Sequence, residues 1–295
     1  MTSISCFMVT RNCVKQGYPF REAISSALPL CDEFIIVDGF STDGTFEILS
    51  ELNDDKIHIY QQPWKQSGMA SEPIRYAINS ALKLTRGTYV FHVDANEIIH
   101  SESLNTIGKL PEVFPETVMF AFPYYQFMGK FLFNEEFRVR FAKKSSALIS
   151  VGDGWTLGTK PNSLCELKRL LSPSVYLSTL YYFTGNLYLS NYLRYCHLPR
   201  PIFRYYAIDP ELFLNKIEAR SGIYSGDWSP FTRFSSRVLA IFDAYVETKN
   251  KDHFWKAMCK YYMEMQKEGR FVPKEIREVQ YFEESLHPEK MRGYL

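Results

Sequence analysis

The residues best suited to chemistry form an acidic cluster that directly follows an apolar run. Residues 89–93 are Tyr-Val-Phe-His-Val, and residues 94–97 are Asp-Ala-Asn-Glu. A buried strand that ends in carboxylates at the edge of a sheet is a usual way to hold a hard metal ion beside phosphate oxygens. The motif alone is a weak signal, because Asp-x-Asn also occurs in ordinary loops. The alternative interpretation is that Asp94 only caps a turn before a helix that begins near Ser101.

The residues before this cluster alternate between short apolar runs and helical patterns. The apolar runs predict strands over residues 3–10, 34–37, 57–60 and 88–93. The intervening helices are predicted to begin at Pro19, to be capped by Asp43, and to span residues 74–82 before Gly87. Alternation of this kind indicates a parallel sheet with right-handed crossovers, and ligands bind such a sheet at its carboxyl edge.

Three polar segments are therefore expected on one edge of the sheet. They are residues 10–12, 38–41 and 94–97, each at the end of a predicted strand. Asp38 could accept hydrogen bonds from a base or a ribose hydroxyl, although an Asx turn before Gly39 is the alternative. Arg75, in the first turns of the third helix, could pair with a diphosphate or could simply be solvated.

The pattern changes after this point. Residues 118–125, 136–142 and 148–151 are predicted strands without helices between them, which indicates a mixed or antiparallel extension. Helical patterns dominate from about residue 165, with starts at Asp209-Pro210 and Ser229-Pro230 and a helix between Asp252 and Gly269. The predicted fold is an α/β domain over residues 1–160, with a mixed, mainly parallel sheet flanked by helices, and a helical, aromatic-rich region over residues 161–295.

Composition excludes several classes of protein. A net charge of +1 over 295 residues argues against a general nucleic-acid binder. Six scattered cysteines without a C-x-x-C pair indicate a reducing compartment and neither a disulfide framework nor a zinc site. The opening residues do not predict a signal peptide, and residues 170–193 are too often polar to predict a transmembrane helix. We predict a cytoplasmic protein, with contact to the inner face of a membrane left open.

Three segments together resemble the family-two glycosyltransferases of the GT-A fold. They are Ile-Ser-Cys-Phe-Met-Val-Thr-Arg-Asn at 4–12, Cys-Asp-Glu-Phe-Ile-Ile-Val-Asp-Gly-Phe-Ser-Thr-Asp-Gly-Thr at 31–45, and Gly-Thr-Tyr-Val-Phe-His-Val-Asp-Ala-Asn-Glu-Ile-Ile at 87–99. The second segment is the most specific, and the resemblance covers about residues 3–155. It implies transfer of a sugar, with inversion, from a nucleotide-diphosphate sugar such as a UDP- or GDP-sugar to a glycan or lipid-linked acceptor.

The resemblance also implies a set of site residues. It assigns Mn²⁺ or Mg²⁺ to Asp94 and Asn96, where the ion would stabilise negative charge on the departing diphosphate. Asn96 replaces the usual second Asp, so metal affinity should be weaker unless Glu97 compensates. The residues implied to bind the donor nucleotide are Thr10, Arg11, Asn12, Asp38, Gly39, Arg75, Asp94 and Ala95. Arg11 stands where the family more often has an aromatic residue.

An inverting transfer needs a general base for the acceptor hydroxyl. The resemblance places the family's acidic residue at Asp153, with Glu135 and Glu136 as rivals and a Gly-Asp-Gly turn as the structural alternative. Trp155 could stack on a sugar, although a core tryptophan is the alternative. His197 could supply a further metal or phosphate contact, although a lone histidine is more often structural.

Two other functions remain open at this level. A sugar nucleotidyltransferase is less favoured, because the first strand is not followed by a Gly-rich, basic phosphate loop. A catalytically weak or inactive module of the same fold, which binds a sugar nucleotide or a glycan, is compatible with Asn96. Calorimetry with sugar nucleotides followed by a product assay would distinguish binding from turnover.

Overall fold

The protein is an α/β structure built around one large mixed sheet. The computed structural model describes residues 2–64, 72–151, 154, 156–159, 193–223, 236–268, 279–292 and 294–295. The strands are β1 (Ile4–Thr10), β2 (Glu33–Asp38), β3 (Ile57–Gln61), β4 (Tyr89–His92), β5 (Glu97–Ile99), β6 (Met119–Met128), β7 (Phe131–Lys143), β8 (Leu148–Val151), β9 (Thr156–Thr159), β10 (Leu193–Tyr195), β11 (Ile202–Ala207) and β12 (Gln280–Tyr281). The helices are α1 (Phe20–Ala27), α2 (Thr45–Ser50), α3 (Glu72–Leu84), α4 (Ser101–Val113), α5 (Pro210–Ile223), α6 (Ser236–Thr248) and α7 (Lys251–Glu268).

The strand order along the large sheet is β3-β2-β1-β4-β7-β6-β11-β5. Strands β1 to β4 are parallel to one another, as the strand–helix alternation predicts. Strand β7 is antiparallel to both β4 and β6, whereas β11 is parallel to β6 and antiparallel to β5. The predicted fold class, a mixed and mainly parallel sheet flanked by helices, is confirmed. Strands β8 and β9 pair separately as a short hairpin.

Both faces of the parallel strands are covered, which explains their continuous apolar sequences. On one face Met8 and Ile36 pack in the same cluster as Phe20 and Ile24 of α1. On the other face Phe7, Ile35 and Val37 pack with α3 through Ile78, Ala81 and Leu82. Burial on both faces fixes the register, because a slip of one residue would exchange the two sets of side chains. The carboxyl edge of these strands is thereby held in a defined position.

Some elements differ from the sequence-based expectations. Helix α2 begins after Gly44, which has a φ of 91°, and not after Asp43; Asp43 instead accepts from Thr45 N with Oδ1 at 3.1 Å. Asp209 does cap α5, since its Oδ1 accepts from Glu211 N and Leu212 N at 2.9 and 3.1 Å. The predicted start at Ser229-Pro230 and most of segment 170–193 lie outside the described residues.

The second half of the chain is less purely helical than its sequence pattern indicates. Helices α5 to α7 are present as expected, and their aromatic side chains pack with Met128, Phe131 and Phe133 of the β6–β7 hairpin. Strands β10, β11 and β12 also belong to this half and pair with the large sheet. The division at residue 160 stays a prediction. Within the part of the chain that the structure describes, the helices are too short or too polar to cross a membrane.

Candidate functional site

The carboxyl ends of four parallel strands meet at one edge of the sheet, here called the rim. Thr10 of β1 pairs with Asp38 of β2, and Asp38 pairs with Gln61 of β3. On the other side of β1, Phe7 pairs with His92 of β4, two residues before Asp94. Because the strands are parallel, the residues that follow them emerge on the same edge.

Asp38 is buried at the centre of the rim. Its Oδ1 accepts from Thr10 Oγ1 at 3.0 Å and from Ser41 Oγ at 2.5 Å, and its Oδ2 accepts from Ser41 N at 2.8 Å. The bond to Ser41 N closes the loop after β2, but it spans three residues, whereas an Asx turn bonds the backbone two residues on. A carboxylate has about four acceptor positions, so the three internal bonds leave one. Asp38 is 0% exposed, so a ligand hydroxyl reaches that position only if the loop after β2 moves.

Asn12 ties the loop after β1 to the loop after β2. Its φ of 51° is in the left-handed region, which Asn tolerates better than most residues. The side-chain Oδ1 accepts from Thr42 N at 2.8 Å, and the backbone N donates to Ser41 Oγ at 2.9 Å. A further bond from Lys15 N to Asp43 Oδ2, at 2.6 Å, joins the same loops. These contacts give Asn12 a positioning role at the rim.

Trp64 adds an aromatic surface to the rim. It follows β3 by three residues, and the Arg11 guanidinium carbon lies 5.5 Å from its ring centroid. A Cβ added to Gly39 would lie 2.6 Å from Trp64 Nε1, so the indole packs directly on this glycine. Its Nε1 is buried and has no hydrogen-bond partner among the described residues. Sequence reasoning did not select Trp64, although an aromatic residue just beyond a strand of this edge is the available signal.

Asp94 lies beside a buried arginine of β7. Its Oδ2 accepts from Arg140 Nη2 at 2.7 Å and lies 3.7 Å from Arg204 Nη2, whereas its Oδ1 lies 3.3 Å from His92 Nε2. The Asp94 side chain is 21% exposed, and the Arg140 side chain is fully buried. Burial acts to raise the pKa of Asp94, but Arg140 and its neighbours outweigh it, so the pKa lies well below its usual value.

His92 stays neutral between these groups. Burial and the adjacent Arg140 lower the pKa of His92 to about 3. Its Nδ1 lies 2.6 Å from Arg140 Nη1, and its ring stacks on Phe7 with centroids 5.0 Å apart. A neutral His92 accepts from the guanidinium at Nδ1 and carries its proton on Nε2, facing Asp94.

Glu97 and Glu136 complete a buried ionic network. Glu97 accepts from Arg140 Nη2 at Oε1 and, at Oε2, from Tyr124 OH and from the backbone N of Asp94, both at 3.1 Å. Burial raises the pKa of Glu97, although Arg140 opposes this shift. Glu136 accepts from Gln126 Nε2 at 2.6 Å and from the guanidinium of Arg138. Glu136, one of the alternatives to Asp153 as general base, is therefore hydrogen-bonded within this network.

The arginines of this network are the functional residues that sequence reasoning missed. Arg138 and Arg140 alternate along β7, and Arg204 lies on β11 opposite Glu97 of β5. Alternating arginines within the apolar run 137–142 are an available signal, because a buried cation requires a paired anion. The sequence does not show which carboxylates those are.

Asn96 ties the turn after β4 to β11. Its Nδ2 donates to Tyr205 O at 2.8 Å, and its backbone O accepts from Tyr205 N at 2.9 Å. Asn96 and Ala95 are buried, 4% and 7% exposed. These bonds hold the turn after β4 against β11.

The contacts of Asp94 do not fit those of a ligand to a divalent ion. A dication bound to Asp94 about 4 Å from a guanidinium is repelled by about 8 kcal/mol at an effective dielectric of about 20. The three arginines also balance the charges of Asp94, Glu97 and Glu136, which leaves no net negative charge to attract an ion. No cluster of three or more His, Cys, Asp and Glu side chains suited to a metal occurs among the described residues. Binding of Mn²⁺ or Mg²⁺ at this position stays a prediction.

The other predicted site residues lie around the rim or outside the described residues. Arg75 lies in the first turn of α3. Asp153 and Trp155 are outside the described residues, while Gly154 between them packs on α3, where an added Cβ would lie 2.4 Å from Ile78 Cδ1. His197 is exposed, with its ring centroid 6.2 Å from that of Phe137.

Comparison with solved structures gives several distant likenesses. Crystal structures of S. aureus TarS residues 1–349, alone and in complex with UDP, are 16% and 14% identical to the chain. The match to the structure alone has a TM-score of 0.39 and covers 93% of this chain and 76% of that chain. The match to the UDP complex has a TM-score of 0.36 and covers 95% of this chain and 96% of that chain. Mannosyl-3-phosphoglycerate synthase from Rubrobacter xylanophilus is 20% identical, with a TM-score of 0.31, over 42% of this chain and 41% of that protein. Likenesses at this level carry no argument about substrate.

The sequence itself gives the decisive comparison. No curated protein sequence matches the chain significantly. The profile of glycosyl transferase family 2 matches residues 5–154, which is half of the chain and includes the carboxyl ends of β1 to β4. The chain therefore belongs to glycosyl transferase family 2.

Proposed function

We propose that this glycosyltransferase binds the nucleotide of a nucleotide-diphosphate sugar at the rim and transfers the sugar to an acceptor hydroxyl. The observation that carries the proposal is the convergence of three complementary groups on one edge. Trp64 offers an aromatic face to a base, Asp38 offers an acceptor to a hydroxyl, and the Asp94–Arg204 pair lies where β4 ends. The donor has a base, a ribose and a diphosphate in this same order, and each can bind the corresponding group of the rim.

The chemical demand of the reaction is stabilisation of the leaving group. Breaking the bond between the anomeric carbon and the diphosphate builds negative charge on phosphate oxygens, which prearranged cations or N–H donors stabilise. Arg11, and Arg204 beside Asp94, are cationic groups of the rim that could serve this purpose. We propose no step through a metal ion, because Arg140 already donates to Asp94.

Inversion and the acceptor are finer parts of the proposal. A direct displacement with Asp153 as base is proposed from the family resemblance, and Glu135 remains the rival because Glu136 is held by Arg138. A glycan or lipid-linked acceptor is proposed on the same ground. A reducing compartment is proposed from the scattered cysteines of the sequence. The cysteines that the structure describes are buried: Cys6, Cys13, Cys31, Cys196 and Cys259.

Titration calorimetry with UDP and GDP tests the nucleotide site. Stacking of a base on an aromatic side chain contributes about 1–3 kcal/mol, so Trp64→Leu should weaken binding by roughly 5- to 150-fold. Tyr281→Leu is the matched control, because Tyr281 is 49% exposed and lies on β12, which pairs with the start of β7 and not with β1 to β4. Equal affinities of wild type and Trp64→Leu would contradict the proposed site.

An assay of nucleoside diphosphate release from UDP- and GDP-sugars distinguishes an enzyme from an inactive binding module. Turnover that depends on Trp64 supports the proposal. Tight nucleotide binding without release or transfer in the presence of acceptor glycans would favour the inactive module.

A further inference from the structure

An arginine occupies the position at which Asp94 would hold a metal ion. Arg140 Nη2 lies 2.7 Å from Asp94 Oδ2 and also donates to Glu97 Oε1. The Arg140 side chain is fully buried and is further bonded to Tyr124 OH at 3.2 Å. A guanidinium held by two carboxylates and a phenol is a fixed part of the fold. It neutralises Asp94 without any exchangeable ion.

Arg204 brings a second cation close to the same carboxylate oxygen. Its Nη2 lies 3.7 Å from Asp94 Oδ2, and its Nε lies 4.0 Å from Glu97 Oε1. Its side chain is 9% exposed, whereas those of Arg138 and Arg140 are fully buried. Of these arginines, Arg204 is therefore the one that solvent can reach, directly beside the 21% exposed Asp94.

We propose that Arg140 replaces the divalent ion on Asp94 and that Arg204 binds the donor diphosphate, so that nucleotide binding needs no metal. The inference rests on the proposed function, because it concerns the diphosphate of the same donor. Guanidinium groups match phosphate oxygens in geometry and keep their charge at every accessible pH. Asp94 then accepts from Arg140 and does not act as a metal ligand.

This role reverses the expected effect of removing the Asp94 charge. A metal ligand that loses its charge binds the ion less tightly, so Asp94→Asn would weaken metal-dependent nucleotide binding. If arginines bind the diphosphate, Asp94 instead competes with it for Arg204. Asp94→Asn should then bind the nucleotide in EDTA as tightly as wild type or more tightly, and agreement within about threefold counts as equal.

Titration calorimetry of the wild-type protein with UDP, GDP, ADP and dTDP provides the first test. Each nucleotide is titrated once in EDTA and once in excess Mn²⁺. Dissociation constants that agree within about threefold support the inference. Binding that occurs only with Mn²⁺ overturns it and leaves the proposed function intact. Absence of binding under both conditions overturns the proposed function and this inference with it.

Variants in EDTA provide the second test. Loss of a charged hydrogen-bond donor costs tenfold or more in affinity, so Arg204→Met should weaken binding of the same nucleotide about 10- to 100-fold. Arg204→Lys should recover part of this loss. Arg200→Met is the matched control, because Arg200 precedes the same strand and pairs with exposed Glu102, 3.2 Å away.

Melting curves accompany every variant, so that loss of folding is not mistaken for loss of binding. A folded Arg204→Met protein with wild-type affinity in EDTA would overturn the role of Arg204. A folded Asp94→Asn protein that binds at least tenfold more weakly than wild type in EDTA would overturn the role of Asp94. Glu102→Gln is the control for the latter, since Glu102 is exposed and pairs with Arg200.

Discussion

Replacing Arg140 with Met should destabilise the protein strongly, and the loss should depend on pH. Arg140 is fully buried and donates to Asp94, Glu97 and Tyr124. Met has a similar volume but no charge, so the variant leaves two carboxylates without their principal cation. Removing one partner of a buried ion pair typically costs about 3–5 kcal/mol. We expect a loss of that size in the free energy of unfolding at about pH 7.

The pH dependence follows from the direction of the Asp94 shift. In the wild type the pKa of Asp94 lies below its ordinary value, so its ion pair stabilises the fold at pH values above the unfolded pKa. In Arg140→Met, burial without the cation raises the pKa of Asp94 and Glu97, so protonation at lower pH relieves part of the destabilisation. The difference between wild type and variant should therefore shrink as the pH falls from about 7 to about 4.

Urea unfolding followed by circular dichroism measures both quantities. Arg200→Met is the control, because its ion pair with Glu102 is exposed and should contribute about 0–1 kcal/mol. A loss below about 1 kcal/mol in Arg140→Met would contradict the buried network. A loss of the same size at about pH 7 and about pH 4 would contradict its electrostatic origin.

Three further predictions concern the rim and its supports. Gly39→Ala should weaken nucleotide binding measured by calorimetry, because the added Cβ would displace Trp64. Gly108→Ala in α4 is the control and should not weaken binding, because the atom nearest to its added Cβ lies 3.7 Å away. The unfolding free energy should rise with pH between about 3 and 6.5, because His92 is protonated more easily in the unfolded chain than in the folded one. His92→Asn should reduce this slope by up to about 1.4 kcal/mol per pH unit. Asn12→Gly should lower the free energy of unfolding, measured in urea, by about 1 kcal/mol. Glycine permits the positive φ but lacks the side chain that accepts from Thr42 N. An unchanged free energy of unfolding would refute the role of that bond.

Local patterns predict the parallel half of the sheet well. The strand predicted over residues 3–10 is β1 (Ile4–Thr10), and the strand predicted at 57–60 is β3 (Ile57–Gln61). Strands covered on both faces have continuous apolar sequences, and such runs are visible without knowledge of their partners. Their parallel order then predicts the rim, because the carboxyl ends of neighbouring parallel strands share an edge.

The ionic network could not be predicted, because its partners are far apart in sequence. Strand β5 has only three residues and is defined by pairing with β11, where Glu97 lies opposite Arg204. The same pairing turns Asn96 toward Tyr205 O. The cations that neutralise this motif, which resembles a metal site, lie on two other strands, β7 and β11. The sequence around Asp94 therefore does not predict them.

A crystal structure of the protein with UDP or GDP bound in EDTA would test the central claim most directly. The account predicts the base against Trp64, a ribose hydroxyl near Asp38, and diphosphate oxygens within hydrogen-bond distance of Arg204, with Arg140 still bonded to Asp94. A nucleotide bound away from the carboxyl ends of β1 to β4, or a diphosphate without contact to Arg204, would contradict it.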